Sequence, residues 1–192
     1  MRRKRRSEGA QQELLPQLSR WLMDIALVLA LAVFLVHMLG DRMIADGVSM
    51  SPTIESGELL LINKFKGSVA SLERFDLIAY RSEDGSKSYV KRIVGLPGEI
   101  IEIIDGRIWI NSRLLETKGL VAEIKAAGLA AKPILLGEDE YFVLGDNADA
   151  SEDSRFANVG NIPAERILGN IWLRLSPFQR LGIVSDERPF VK

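Results

Sequence analysis

One long apolar run near the start of the chain constrains its fold more than any other sequence feature. Residues 21–39 read WLMDIALVLALAVFLVHML, a run of 19 residues interrupted by Asp24 and His37. At ~1.5 Å per residue, a helix of this length reaches about 28 Å, close to the hydrocarbon thickness of a bilayer. Both polar residues lie near the ends of the run, where an ionisable side chain can reach the headgroups. The run therefore predicts a transmembrane anchor.

The residues before this run predict its orientation. Residues 2–6, RRKRR, are all basic, and an excess of arginine and lysine favours the cytoplasmic side of a membrane. A cleaved secretory signal shares this pattern, but its apolar part is usually shorter, and only residues 43–45 resemble a cleavage site. We therefore expect an uncleaved anchor at 21–39, a basic cytoplasmic tail at 1–20 and an extracytoplasmic domain at 40–192.

Composition excludes several kinds of active site. The chain of 192 residues has no cysteine, and its one histidine, His37, lies inside the apolar run. Disulfides, thiol nucleophiles and cysteine-ligated metals are excluded, and a serine–histidine–aspartate triad or a histidine-based zinc site is disfavoured. The net charge of −1 gives no reason to expect a nucleic-acid partner. Nucleophilic catalysis would need a hydroxyl together with a lysine or carboxylate base.

From residue 47 onward the sequence changes to short β-type runs separated by turns. The runs are rich in isoleucine, valine and aromatic residues, which favour strands. Asp105-Gly106 predicts a two-residue hairpin, and residues 113–137 interrupt the pattern as a helical or irregular excursion. We predict a mainly β fold, with antiparallel β-sheets in a barrel-like domain. The predicted strands lie within residues 57–65, 74–82, 88–96, 99–104, 107–112 and 140–145.

Lys91 lies among apolar residues in one of these predicted strands, SYVKRIVGL at 88–96. A lysine acts as a base only when its amine is neutral near pH 7, and burial lowers a lysine pKa because the charged form loses solvation. Since side chains alternate along a strand, Lys91 and Arg92 should point to opposite faces. Lys91 could then face a dry site while Arg92 pairs with a carboxylate behind it. The same pattern also fits a lysine at a sheet edge whose amine reaches solvent.

Three motifs follow the apolar run. They are VSMSPT at 48–53, YVKRIVGLPGE at 89–99 and GDNADASEDSR at 145–155. In this order, after an N-terminal membrane anchor, they closely resemble the type I signal peptidases. That family consists of membrane-bound serine–lysine peptidases that remove signal peptides from exported proteins. The resemblance extends from about Gly47 to Trp172.

The resemblance implies a role for each matching residue. Ser49 matches the family's nucleophile and Lys91 matches its general base. Ser151 matches a serine that helps to position the lysine by hydrogen bonding. Asp153 and Arg155 match a structural ion pair near the site.

The resemblance also implies supporting residues around this dyad. Asp146 would pair with Arg92, in agreement with the opposite-face prediction, and RFDLIAY at 74–80 resembles a further strand motif. Two positions depart from the family's pattern. Ala148 stands where a basic or hydroxyl residue is frequent, and Gly47 stands where some members carry a serine that completes the oxyanion hole. The residues implied in the oxyanion hole and substrate groove are Gly47, Met50, Pro52, Asp76 and Tyr89.

The implied activity is cleavage of exported preproteins after a small residue of an A-x-A-like site. It would proceed through an acyl-enzyme and would need no metal and no cofactor. The implied partners are signal-peptide-bearing preproteins and the lipid bilayer, near the export translocon, and no nucleic acid. The implied location is the bacterial cytoplasmic membrane, crossed once.

Other interpretations remain open at this stage. A related peptidase dedicated to one substrate, such as a conjugation or pilus protein, would share the chemistry. An inactive membrane-anchored binding module would lack it. A self-cleaving repressor also uses serine and lysine, but is usually soluble, which the apolar run disfavours. Residues 171–184 are predicted as core strand plus tail, with contact at the membrane interface as the alternative.

Overall fold

The computed structural model describes residues 18–34, 40–63, 72–117 and 119–184. The chain divides into two compact units, residues 1–39 and residues 40–192. Within the first unit, helix α1 occupies residues 18–34, and its side chains are exposed. Among the described residues, no helix has the length and apolar character required to cross a membrane. The basic residues 2–6 and the last five positions of the predicted anchor lie outside the described residues.

The second unit is built mainly from one large antiparallel sheet. Its strands follow the order β1-β2-β11-β3-β4-β9-β10, and β12 pairs with β11. The described strands form an open path that ends at β1 and β10, so the barrel-like arrangement predicted from the sequence is not a closed barrel. The strands are β1 (Gly40–Ile44), β2 (Leu59–Asn63), β3 (Leu77–Arg81), β4 (Ser88–Gly95), β9 (Glu140–Leu144), β10 (Ile162–Pro163), β11 (Ile167–Ser176) and β12 (Gly182–Ile183).

A smaller antiparallel sheet has the order β7-β6-β5-β8. Its central hairpin turns at Asp105 and Gly106, whose φ angles are 49° and 74°. Two consecutive positive φ angles are those of a type I′ turn, which aspartate and glycine tolerate, so the predicted hairpin is confirmed. The strands are β5 (Ile100–Ile104), β6 (Arg107–Ile110), β7 (Arg113–Leu114) and β8 (Ile134–Leu135).

All six predicted strand runs contain a strand, and the predicted excursion is mostly irregular. Residues 113–137 hold the short strands β7 and β8 and a 3-10 turn at Gly128–Ala131. Strand β1 was not predicted, because its sequence, GDRMI, directly follows the apolar run and lacks an alternating pattern. Strand β11 begins four residues before the predicted segment of core strand plus tail, 171–184, and ends within it at Ser176. In the part predicted as a tail, Phe178 is 83% exposed.

The second unit has three buried hydrophobic clusters, one of which joins the two sheets. One fills the space between the inner face of the small sheet and the second half of β4 with β9. Another lies on the opposite face of the large sheet. The third lies beneath the loop between β1 and β2, and it includes Met50, Ile54 and Val90. Burial of a side chain such as Met50 or Ile54 stabilises the fold by roughly 2 kcal/mol, so this cluster fixes the loop that carries Ser49.

Candidate active site

Ser49 lies on the loop of residues 45–57, between β1 and β2. The loop is closed at its ends by two backbone hydrogen bonds, from Ala45 N to Glu58 O at 2.9 Å and from Gly57 N to Ala45 O at 2.8 Å. Met50, which follows Ser49, is 3% exposed and packs into the cluster beneath the loop. The serine hydroxyl is thereby carried at the surface of a loop whose backbone is fixed from below.

Lys91 brings its amine to this hydroxyl from β4. The Nζ atom of Lys91 lies 2.7 Å from Ser49 Oγ, and the lysine is 3% exposed. Burial lowers the pKa of Lys91 from 10.5 to about 8, and it outweighs the opposing effect of the nearby Asp153 carboxylate. A lysine with this pKa is neutral in about one molecule in ten at pH 7. The contact can therefore serve a neutral amine that accepts the serine proton.

Arg92, the next residue in β4, points away from Lys91 and into a buried ion pair. Its Nε and Nη2 atoms contact the two carboxylate oxygens of Asp146 at 2.7 Å each, and both residues are fully buried. Thr53 Oγ1 donates to the same carboxylate at 2.5 Å. The structure thus places Arg92 and Asp146 together on the face of β4 opposite Lys91, and Thr53 ties the Ser49 loop to them.

The third motif holds the backbone around Ser49. Asn147 N donates to Ser49 O at 3.0 Å, and the Asn147 side-chain amide donates to Val48 O at 3.2 Å. A Cβ atom at Gly145 would lie 2.5 Å from Ser49 O and 2.3 Å from Ser151 Oγ. Only glycine permits this approach without displacement. The contacts of Gly145 and Asn147 were not predicted, although their place in the GDN segment of the third motif is a signal that points to them.

Ser151, Asp153 and Arg155 form a buried network beside Lys91. Ser151 Oγ donates to Asp153 at 2.7 Å, and Arg155 pairs with the same carboxylate through contacts of 2.8 and 2.9 Å. Gly145 N also donates to Asp153 at 3.1 Å. Among the hydrogen bonds of the described residues, Lys91 Nζ contacts Ser49 and not Ser151. Ser151 is therefore bound to the carboxylate next to the lysine rather than to the lysine itself.

A small cleft opens beside Ser49. Of the five groove residues implied by the resemblance, Gly47, Met50 and Tyr89 line it, whereas Pro52 and Asp76 do not. The Asp76 carboxylate instead accepts a hydrogen bond from Glu73 N in a turn before β3. Most of the other lining residues are small or apolar, and they were not predicted as groove residues. They are Met43, Ala45, Asp46, Ile54, Ser88 and Val90.

A backbone hydrogen-bond donor lies beside the Ser49 hydroxyl. Among the described residues, the backbone N–H of Ser49 has no protein acceptor, whereas the N–H of Gly47 donates to Ser56 Oγ at 3.3 Å. No group of three or more histidine, cysteine, aspartate or glutamate side chains in this part of the chain is arranged to hold a metal ion. A hydroxyl, a buried amine and a free N–H are together able to carry out acyl transfer.

The chain is similar to a family of known proteins, the signal peptidases. The family model for signal peptidase, peptidase S26, matches residues 18–176. A probable signal peptidase I-2 of Synechocystis is 30% identical over 145 residues, which cover 72% of this chain and 64% of that protein. A signal peptidase I of Bacillus amyloliquefaciens is 32% identical over 165 residues, covering 82% of this chain and 85% of that protein. The chain therefore belongs to the signal peptidase family, peptidase S26.

A solved structure is also similar to the chain. The crystal structure of a signal peptidase I from Enterococcus faecalis matches at 30% identity with a TM-score of 0.42. The match covers 52% of this chain and 95% of that one.

Proposed function

We propose that this signal peptidase I cleaves its substrates with a dyad in which Ser49 is the nucleophile and Lys91 the general base. The observation that carries the proposal is the 2.7 Å contact between Lys91 Nζ and Ser49 Oγ. Burial supports it, because it lowers the pKa of Lys91 to about 8 and so supplies a neutral amine near physiological pH. A serine endopeptidase of this kind needs no histidine.

The first half of the reaction forms an acyl-enzyme. Neutral Lys91 takes the proton of Ser49 Oγ as this oxygen bonds to the scissile carbonyl carbon. The negative charge on the carbonyl oxygen is stabilised by the N–H of Ser49, since this donor has no acceptor among the described residues. Protonated Lys91 then gives its proton to the leaving amine, the C–N bond breaks, and the mature protein departs.

The second half releases the signal peptide and regenerates the dyad. Lys91 is neutral again after it has protonated the leaving amine, so it can take a proton from a water molecule. The hydroxide attacks the acyl carbon, the bond to Ser49 Oγ breaks, and the lysine returns its proton to the serine. Asp153 and Arg155 keep the wall of the site in place, and the Arg92–Asp146 pair does so from behind β4.

The substrate binds as an extended segment along β4. Strand β9 pairs with β4 only at Arg92, Ile93 and Gly95, so among the described strands the half from Ser88 to Lys91 pairs only with β3. An extended peptide can add to such an edge by backbone hydrogen bonds. Ala45 and Gly47 line the adjacent cleft, which suits the small residues of an A-x-A-like cleavage site.

The membrane would present the substrate to this site. The apolar run at 21–39 supports a single-pass anchor, and the basic residues 2–6 support a cytoplasmic N-terminus. In a bacterium this arrangement places residues 40–192 outside the cytoplasmic membrane, near the export translocon. A tether raises the local concentration of a substrate held in the same bilayer.

A cleavage assay tests the proposed dyad. The detergent-solubilised full chain is incubated with a preprotein that carries an A-x-A site, beside Ser49→Ala and Lys91→Ala variants. We expect cleavage by the wild type and a loss of at least a thousandfold in both variants. Wild-type rates in either variant would contradict the dyad, and a folded wild type that cleaves nothing would favour the inactive binding module.

A further inference from the structure

Two arginines from the C-terminal part of the chain reach the backbone of the Ser49 loop. Arg174 in β11 donates through Nη2 to Thr53 O at 2.5 Å. Arg180, in the turn that follows β11, donates through Nη2 to Pro52 O at 3.1 Å and to Thr53 O at 3.4 Å. The two acceptors lie three and four residues after Ser49. The arginines therefore bind the same short stretch of loop backbone that follows the nucleophile.

Glu58, at the end of the loop, is the shared counter-ion of both arginines. It is 2% exposed, and its two oxygens lie 2.6 Å from Arg174 Nε and 2.7 Å from Arg180 Nη1. The atoms are close enough for ion pairs, but the angles do not allow hydrogen bonds. Neither Glu58 oxygen nor Arg174 Nε has a hydrogen-bond partner. One carboxylate beside two guanidiniums leaves an excess positive charge, which favours contact with the loop carbonyl oxygens.

Thr53 connects this cluster to the strand of the base. Its carbonyl accepts from the two arginines, while its hydroxyl donates to Asp146. Asp146 in turn is paired with Arg92, the neighbour of Lys91 in β4. The loop is therefore held at Thr53 by two sets of contacts. The C-terminal arginines bind its carbonyl, and Asp146, which pairs with Arg92 of β4, binds its hydroxyl.

We propose that Arg174 and Arg180, with Glu58 between them, are positioning residues that hold Ser49 in register with Lys91. The proposal rests on the dyad proposed above. Arg174 lies inside the range that the family model matches, residues 18–176, and Arg180 lies beyond it. Arg180 is thus a contribution of the C-terminal segment to the site. Loss of its donors leaves Pro52 O without an arginine donor, so the loop after Ser49 gains freedom to move.

Steady-state kinetics of Arg180→Gln separates positioning from substrate binding. We expect kcat to fall about tenfold with KM within about twofold of the wild type, since a small misplacement of the nucleophile acts on the chemical step. Arg180→Lys should recover part of kcat, because lysine keeps the charge but cannot contact Glu58 and a carbonyl with one rigid fork. Rates are referred to folded protein, measured by circular dichroism at the assay temperature.

Arg166→Gln is the matched control. Arg166 also donates to a backbone carbonyl, that of Arg81, at 2.9 Å. This carbonyl lies at the end of β3, outside the Ser49 loop. Its loss should leave kcat within about twofold of the wild type. An unchanged kcat in folded Arg180→Gln would overturn the positioning role, as would a loss of rate that merely follows the fraction of unfolded protein.

Hydrogen exchange gives a readout that does not depend on activity. In the full chain, Arg180→Gln should raise the exchange of the amides of Ile54 and Gly57, which are bonded within the loop, by about tenfold, since local opening becomes easier. The hairpin β5–β6 should exchange as in the wild type. Unchanged exchange in the loop would refute the positioning role. A wild type that cleaves no preprotein would refute the proposed dyad instead, and the exchange result would still decide whether Arg180 fixes the loop.

Discussion

Lys91→Met should stabilise the fold while it abolishes activity. The lysine is 3% exposed, and its pKa of about 8 lies below the ordinary value of 10.5 because burial penalises the charged form. At ~1.4 kcal/mol per pH unit, this pKa difference lowers the free energy of unfolding of the wild type by about 3 kcal/mol at pH 7. Methionine has a similar shape and no charge. Loss of the contact with Ser49 offsets about 1 kcal/mol, which leaves a net gain of about 2 kcal/mol.

The stability gained by Lys91→Met should depend on pH, because it comes from the charge of the buried lysine. Well below pH 8 the lysine is mostly charged in both the folded and the unfolded chain, so nearly the full penalty applies. Between pH 8 and 10.5 the unfolded chain binds more protons than the folded chain, and wild-type stability rises with pH relative to the variant. Near pH 10 the penalty is below about 1 kcal/mol, and the two proteins should be equally stable.

Urea unfolding of the detergent-solubilised chain, followed by tryptophan fluorescence at pH 7 and at pH 10, measures this difference. The exposed Lys132 provides the control, since Lys132→Met should change the free energy of unfolding by less than about 0.5 kcal/mol at either pH. A Lys91→Met variant that is less stable than the wild type at pH 7 would refute the burial penalty. A difference in stability between the two proteins that is the same at both pH values would refute it as well.

Three further predictions concern the neighbours of the dyad. Wild-type kcat/KM should rise about tenfold per pH unit up to about pH 8 and then level off, as Lys91 loses its proton; a pH series with a peptide substrate measures this. Gly145→Ala should lower kcat by at least about a hundredfold, because its Cβ would meet Ser49 O at 2.5 Å. Thr53→Val should lower the free energy of unfolding by about 1–3 kcal/mol, measured by urea titration, because the buried Asp146 loses a donor.

Each of these three predictions has a control or an outcome that would contradict it. Undiminished activity at pH 5 would contradict a lysine base. Gly137→Ala should keep nearly full activity, since its Cβ would meet only the flexible Glu140 side chain, at 3.3 Å; equal losses in both alanine variants would contradict the close-approach argument. Thr53→Ser retains the hydroxyl and should be close to the wild type in stability. A serine variant as unstable as the valine variant would mean that packing, and not the hydrogen bond, is what Thr53 supplies.

The features that could be predicted from the sequence depend on local geometry. The alternation of side chains along a strand predicts that Lys91 and Arg92 part to opposite faces, and the structure places them so. The hairpin at Asp105-Gly106 follows from the same kind of local rule, because few residues tolerate two positive φ angles. Where one short segment determines the conformation, the sequence carries enough information.

The features that escaped prediction depend on contacts between distant segments. Thr53 and Asp146 are 93 residues apart, and Arg180 lies 128 residues from Pro52, so no local pattern pairs them. The open end of the large sheet is equally non-local, since it depends on how β1 and β10 lie after all other strands have paired. Ser151 was expected to bond to Lys91, but its hydroxyl donates to the Asp153 carboxylate, two residues on in the chain.

The ladder between β4 and β9 stops at Arg92, and this affects the pKa of Lys91 when a substrate binds. Lys91 is the last rung of β4 before the ladder with β9 begins, so a bound peptide that completes the ladder would cover the amine from the side still open to water. Further dehydration would lower the lysine pKa again. The substrate would thus help to deprotonate the base that activates Ser49, and kcat should reach its plateau at a lower pH than kcat/KM, since the two report the bound and the free enzyme.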